Sequence, residues 1–156
     1  IETVQSGIPR IDFSNDVIFI PCFYTQVLRK IKIDLVINMR SFGEMNKNII
    51  QNYFNLINEN ISDNGLFYTI NRYVTARGKE PIKFKYYPFG DCWESILSQP
   101  MWLQTHAHEM LIRKNKNPLI PFSKILQSFP NISPLPGPYT YDYNLEKWAK
   151  NNNISF

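Results

Sequence analysis

Four places in the sequence gather side chains that can orient a ligand or move a proton. Asn38, Arg40, Ser41 and Glu44 follow one apolar run, Asn71 and Arg72 close a second, Asp91 and Trp93 sit at a turn, and His106 and His108 stand two residues apart. Amide, hydroxyl, carboxylate and guanidinium groups give a polyhydroxylated ligand its directional hydrogen bonds. An imidazole titrates near neutral pH and suits removal of a hydroxyl proton, so His106 or His108 is the candidate general base. Indole and carboxylate, as in Trp93 and Asp91, are the pair that stacks on a sugar face and accepts from its hydroxyls.

Each place also has a purely structural reading. Ser41-x-x-Glu44 has the form of a capping box, in which hydroxyl and carboxylate each serve an orphan amide at a helix start. Asn38 stands too early to serve that cap, which leaves it for a pocket at the end of the strand before it. Asn71 and Arg72 either orient acceptor hydroxyls or satisfy carbonyls where a loop begins. Trp93, inside an apolar stretch, equally reads as a packing anchor. His106-Ala107-His108 on a strand puts both imidazoles on one side, as metal ligation needs, yet no third ligand has suitable spacing and no metal is expected.

The elements that position these groups are read from periodicity. Ile33 to Met39 is a short apolar run, expected as a central strand of a parallel sheet. A helix is expected from about Phe42 to Ile61, with Ile49, Tyr53, Ile57 and Ile61 repeating at i, i+4 and Ile50 and Phe54 beside them. Ser62-Asp63-Asn64-Gly65 supplies the stop, with Gly65 taking positive φ. Leu66 to Val74, rich in β-branched and aromatic residues, is a second strand parallel to the first. The polar residues then lie at the carboxyl ends of both strands, where open α/β sheets bind ligands. Asp16 to Pro21 is expected as a further parallel strand and Tyr24 to Lys30 as a short connection or helical turn. Cys92 to Leu97 is expected as a short helix, and Leu103 to Arg113 as an edge or final strand. Short helices are expected over Phe122 to Phe129 and Asn144 to Asn152, and no internal repeat occurs.

The pattern DLVINxxSFGEM, a helix containing YF, then GLFYxxNR, YYPFGDCWESI and HEMLIRK resembles the putative sugar O-methyltransferases, a family of class I S-adenosylmethionine-dependent enzymes. The resemblance covers roughly Asp16 to Lys114, and its most specific piece is Asn38 with Ser41-Phe42-x-Glu44-Met45. It implies a Rossmann-like, mainly parallel α/β sheet of which this chain is the C-terminal part, S-adenosylmethionine as cofactor and a sugar or glycan as acceptor. Asn38, Arg40 and Ser41 would then face the cofactor, and Glu44, Asn71, Arg72, Asp91 and Trp93 the acceptor. The family's opening strand, glycine-rich turn and ribose-binding acid are not found: glycines at 7, 43, 65, 78, 90 and 137 include no G-x-G pair.

With 156 residues, 44% of them hydrophobic, the chain is sized for one core. Residues 1–15 read as a linker, 16–114 as the α/β domain and 115–156 as a proline-punctuated tail with short helices. A net charge of +4 spread over single basic residues is unlike a nucleic-acid surface. No apolar run approaches the roughly 20 residues that span a bilayer, and no secretory pattern is seen, so cytoplasm is the expected compartment. Cys22 and Cys92, without C-x-x-C spacing, are expected as buried, reduced thiols.

Two functions of different class follow. One is S-adenosylmethionine-dependent methylation of a sugar hydroxyl by a protein of which this chain lacks the glycine-rich loop. The alternative is a non-catalytic binding or assembly module keeping half of such a fold, whose unpaired edge would favour a homo-oligomer. Without the glycine turn, the 156-residue chain is expected to bind S-adenosylmethionine far more weakly than a complete enzyme would. Calorimetric titration checks this, and a micromolar Kd would overturn it.

Overall fold

The structure is a computed structural model that describes residues 12, 14, 17–75, 81–102, 104 and 106–130. Its centre is a four-stranded sheet in the order β1-β2-β6-β5, from β1 (Ile33–Met39), β2 (Ile61–Arg72), β5 (Trp93–Pro100) and β6 (Ala107–Lys114). β3 (Val74–Thr75) and β4 (Ile82–Lys83) make a separate two-stranded ribbon. The helices are α1 (Lys47–Asn60) and α2 (Phe122–Gln127).

β1 and β2 are parallel, Val36 opposite Phe67 and Asn38 opposite Thr69, as expected for two strands joined by a helix. The sheet as a whole is not the mainly parallel Rossmann-like α/β sheet that the sequence suggested. β2 and β5 both pair antiparallel with β6, so the sheet is mixed. For β5 and β6 connection length is the reason, since a parallel crossover needs a dozen or more residues. Residues 101–106 between β5 and β6 allow only a hairpin.

Several local expectations also change. Residues 17–21 form no strand, and Val17 and Phe19 are exposed, whereas a 3₁₀ helix does cover Cys22–Lys30. The expected Cys92–Leu97 helix is part of β5, because its backbone groups find partners on β6. Of the two expectations for this segment, β6 is the final strand in chain order among the described residues, but it lies in the interior of the sheet and not at an edge. Gly65 does not carry the positive φ; Asn64 does, at 65°. Gly65 is instead fixed by crowding, since a Cβ there would lie 2.7 Å from Ile61 Cγ1 and 2.9 Å from the Ser62 carbonyl oxygen. This is where β2 bulges against β1. Cys22 and Cys92 are unpaired but exposed, not buried.

α1 starts at Lys47, and the capping box is not formed. Asn46 is the cap: its side chain accepts from the Ile49 amide at 3.0 Å. Ser41 opens a 3₁₀ turn over Phe42–Glu44 with no side-chain cap. The buried stripe of α1 is Ile50, Phe54 and Ile57, all within the predicted apolar face, and it packs on the sheet face carrying Phe67. Phe84, Phe89, Trp93, Phe122 and Phe129 complete an aromatic core on that side, each ring contributing about 1.5–3 kcal/mol by leaving water. Phe122 and Phe129 thus join the body from the segment expected as a tail. The short helix over 122–127 lies where periodicity put it, and the expected helix over 144–152 falls outside the described residues. Lys114 closes the α1 end of the sheet, its Nζ donating to the carbonyls of Asn58 and Ile61 at 2.8 and 3.0 Å, where the helix dipole favours a cation.

The opposite face of the sheet carries Leu35, Ile37 and Met39, which are half or more exposed. No helix among the described residues is long and apolar enough to cross a membrane.

Asn46→Ala is expected to cost about 1 kcal/mol of stability, as loss of an N-cap does, and Ser41→Ala clearly less. Gly65→Ala should cost roughly 1–3 kcal/mol through overpacking. Urea unfolding of the three variants checks the order; a larger loss at Ser41 than at Asn46 would return the cap to Ser41.

Candidate functional site at the carboxyl ends of β1 and β2

β1 leaves the sheet through Arg40, whose φ of 64° is unusual for a side chain with a Cβ. Its amide donates to the Ile70 carbonyl at 2.7 Å, which holds the turn against β2. The following 3₁₀ turn buries Phe42 and Gly43, and a Cβ at Gly43 would meet Thr75 Oγ1 at 2.7 Å, so the turn sits tightly on β3.

Inside this corner a line of polar groups crosses the strands. Asn71 Nδ2 donates to Asn38 Oδ1 at 3.0 Å and to Thr69 Oγ1 at 2.8 Å, and Asn38 Nδ2 donates to Ser41 Oγ. Asn71 is fully buried, and its Oδ1 has no partner. Asn38, Ser41 and Asn71 are therefore brought together, as their positions at the strand ends predicted.

The two histidines separate. His108 lies on β6 opposite Asn71 and is fully buried. Its Nδ1 meets the Tyr73 hydroxyl at 2.9 Å, its Nε2 meets Ser98 Oγ at 2.8 Å, and its ring lies 4.1 Å from that of Phe129. Burial pushes its pKa down to about 3, so it is neutral and both ring nitrogens are engaged. His108 holds three elements together and is closed to an external hydroxyl, which corrects its reading as a general base. Its partners Tyr73 and Ser98 went unread in the sequence, Ser98 because its segment was expected outside the sheet.

His106 is in the turn before β6, not on the strand, and is partly exposed. Its Nε2 lies 3.4 Å from an Nη of Arg40, and its carbonyl accepts from the Tyr73 amide at 3.1 Å. Desolvation first, then the cations of Arg72 and Arg40, lower its pKa, so the imidazole stays neutral below its usual range. The expected pair of imidazoles on one strand face does not exist. Among the described residues no group of three potential ligands could hold a metal ion.

Arg72 ends β2 opposite Ala107. Glu44 is exposed on the 3₁₀ turn. Asp91 and Trp93 do not reach the site: Trp93 pairs with Lys114 while His108 pairs with Pro100, which sets them apart by roughly 20 Å along β6 at the rise of a strand. Trp93 is buried and donates from Nε1 to the Phe89 carbonyl at 2.8 Å, a packing role, and Asp91 is exposed. Two clefts flank α1, of about 500 and 670 Å³, and neither is lined by any of the predicted site residues.

No family model, curated protein or solved structure matches this chain.

The corner suits some ligands better than others. S-adenosylmethionine does not fit Asn38, Arg40 and Ser41: Asn38 and Ser41 engage one another and Asn71, and Arg40 brings positive charge toward what would be a sulfonium. What the corner offers is guanidinium donors, a buried amide oxygen in want of a donor, and one neutral, accessible imidazole.

Because His108 is neutral in the fold and protonates near its ordinary value when unfolded, its contribution is full above pH 6.5 and falls as pH drops toward 3. The loss over that window is on the order of 4 kcal/mol. Urea midpoints measured across it should fall steeply, and less so in His108→Asn; parallel profiles for both proteins would show that another group carries the acid sensitivity.

Proposed function

We propose that this chain carries the acceptor side of an O-methyltransferase acting on a sugar hydroxyl, with His106 as the base. The observation that carries the reading is the contact of Arg40 with a neutral His106, beside strand ends at which Asn38 and Asn71 bond one another. The resemblance in DLVINxxSFGEM and GLFYxxNR supports it; the sheet, being mixed, lends it nothing.

S-adenosylmethionine, held by other residues, would supply an electrophilic methyl carbon. The residues here act on the acceptor. Arg40 and Arg72 fix the acceptor's orientation. His106 removes the proton of the reacting hydroxyl; desolvation first, and then the cations of Arg72 and Arg40, keep it uncharged until it does so. Such chemistry needs alignment more than a strong nucleophile, consistent with a site built from amides and guanidinium groups. The reading places the protein in the cytoplasm, where the exposed thiols of Cys22 and Cys92 stay reduced.

A second reading, a binding or assembly module, is favoured by the exposed apolar side chains of Leu35, Ile37 and Met39 on β1, which forms one edge of the sheet. Sedimentation separates it from the first: a strictly monomeric chain at high concentration counts against assembly.

His106→Gln should lower kcat for methyl transfer by about 10²–10⁴ with little change in the acceptor KM, the range for losing a general base. Radiolabelled methyl transfer to a panel of sugars measures this. No transfer by the unmodified protein would sink the enzymatic reading, and an unchanged kcat in the variant would remove His106 from it.

A further inference from the structure

Arg40 and Arg72 differ from other cations of the fold in how their charge is met. Arg113 pairs with Glu94 at 2.7 Å, and Lys116 with Asp63 at 3.1 Å. Among the described residues neither Arg40 nor Arg72 makes an ion pair, although both lie close enough to His106 to act on its charge. They stand at the same end of adjacent parallel strands, just past the last pair, Met39 opposite Ile70. The carboxylate nearest on β6, Glu109, is already held by the Tyr68 hydroxyl and by Gln99 Nε2.

The guanidinium of Arg40 carries a second sign. Its Nε is buried with no hydrogen-bond partner, and one Nη makes only a long contact, 3.4 Å, with His106 Nε2. A buried charged donor without an acceptor is costly, and the side-on fork of Nε with an Nη is the edge that binds carboxylate or phosphate oxygens in pairs. The neutral His106 offers it only one lone pair at the outer limit of a hydrogen bond. Two like charges gathered without a counter-charge, one with an empty buried donor, describe a site for an oxyanion.

We infer that Arg40 and Arg72 bind an oxyanion carried by the acceptor, a phosphate or a carboxylate on the sugar, and that this contact draws Arg40 off His106 Nε2. The inference rests on the acceptor-side reading above and narrows its substrate to an anionic sugar. It also gives the base an order of events. In the free protein His106 Nε2 accepts from Arg40; once Arg40 turns to the oxyanion, that lone pair faces the hydroxyl to be deprotonated. A neutral sugar would leave it occupied.

The 156-residue chain is titrated with inorganic phosphate, glucuronate and glucose, following affinity by calorimetry and His106 Nε2 by nitrogen NMR. Phosphate, glucuronate or both should bind and shift the His106 resonance, and glucose should do neither; which anion binds identifies the phosphoryl or carboxylate source. Arg40→Gln and Arg72→Gln should each weaken that binding by about tenfold or more, as for loss of a charged hydrogen bond. The shift in the unmodified chain needs no variant to fold. Anions that leave His106 unmoved, or that bind both variants as tightly as the parent, overturn the inference. Methyl transfer to neutral sugars would then leave the acceptor-side reading standing. Anion binding at the arginines without methyl transfer to any acceptor would keep this site and remove that reading.

Discussion

The register of β2 against its two neighbours is the constraint on which the rest depends. One edge of β2 follows β1 in parallel, with Asn38 beside Thr69, and the other opposes β6, with Asn71 beside His108. Because side chains alternate along a strand, a slip of one residue on either side would turn Asn38, Thr69, Asn71 and His108 away from one another. The same register directs Phe67 and Ile112 to the face that α1 covers. Core and candidate site are thus set by a single alignment. Crowding at Gly65, where β2 bulges against β1, is the local device that fixes it.

The polar groups divide into two sets with different physics. Ser98, His108 and Tyr73 form a closed set, buried among aromatic rings, in which the imidazole is neutral with both nitrogens bonded. Such a set favours one arrangement of β5, β6 and the segment after β2, because each of its members would cost free energy if left buried without a partner. Arg40, Arg72 and His106 form an open set with positive charge in excess and an unfilled donor. Stability accounts for the first set. The second accumulates like charges that a fold selected only for stability would separate.

Much of the polypeptide's local organisation was legible in its residues. The apolar run Ile33 to Met39, the helical spacing that follows it and the β-branched segment ending at Arg72 determined two strands, a helix and the parallel relation between them. That in turn placed Asn38, Arg40, Ser41, Asn71 and Arg72 at one end of the sheet. The spacing of Phe122, Ile125, Leu126 and Phe129 likewise marked α2. These features depend on neighbours within a few turns of chain, where periodicity carries the information.

Tertiary structure alone decided the rest. The direction of β6 depends on the short link from β5, and the strand character of residues 93–97 on backbone partners supplied by β6, far along the chain from any local pattern. Which part of the broad apolar face of α1 is buried most deeply, Ile50, Phe54 and Ile57, followed from packing against Phe67 and Phe89, and Asn46 displaced Ser41 as cap because the turn at Phe42–Glu44 stopped short of the helix. Two histidines of one type and near-identical spacing received opposite roles: His108 entered the sheet and was sealed by Tyr73, Ser98 and Phe129, while His106 stayed in the turn beside Arg40. Sequence sets what a side chain can do chemically. Its burial and the charges beside it, which long-range pairing fixes, decide which of those things it does.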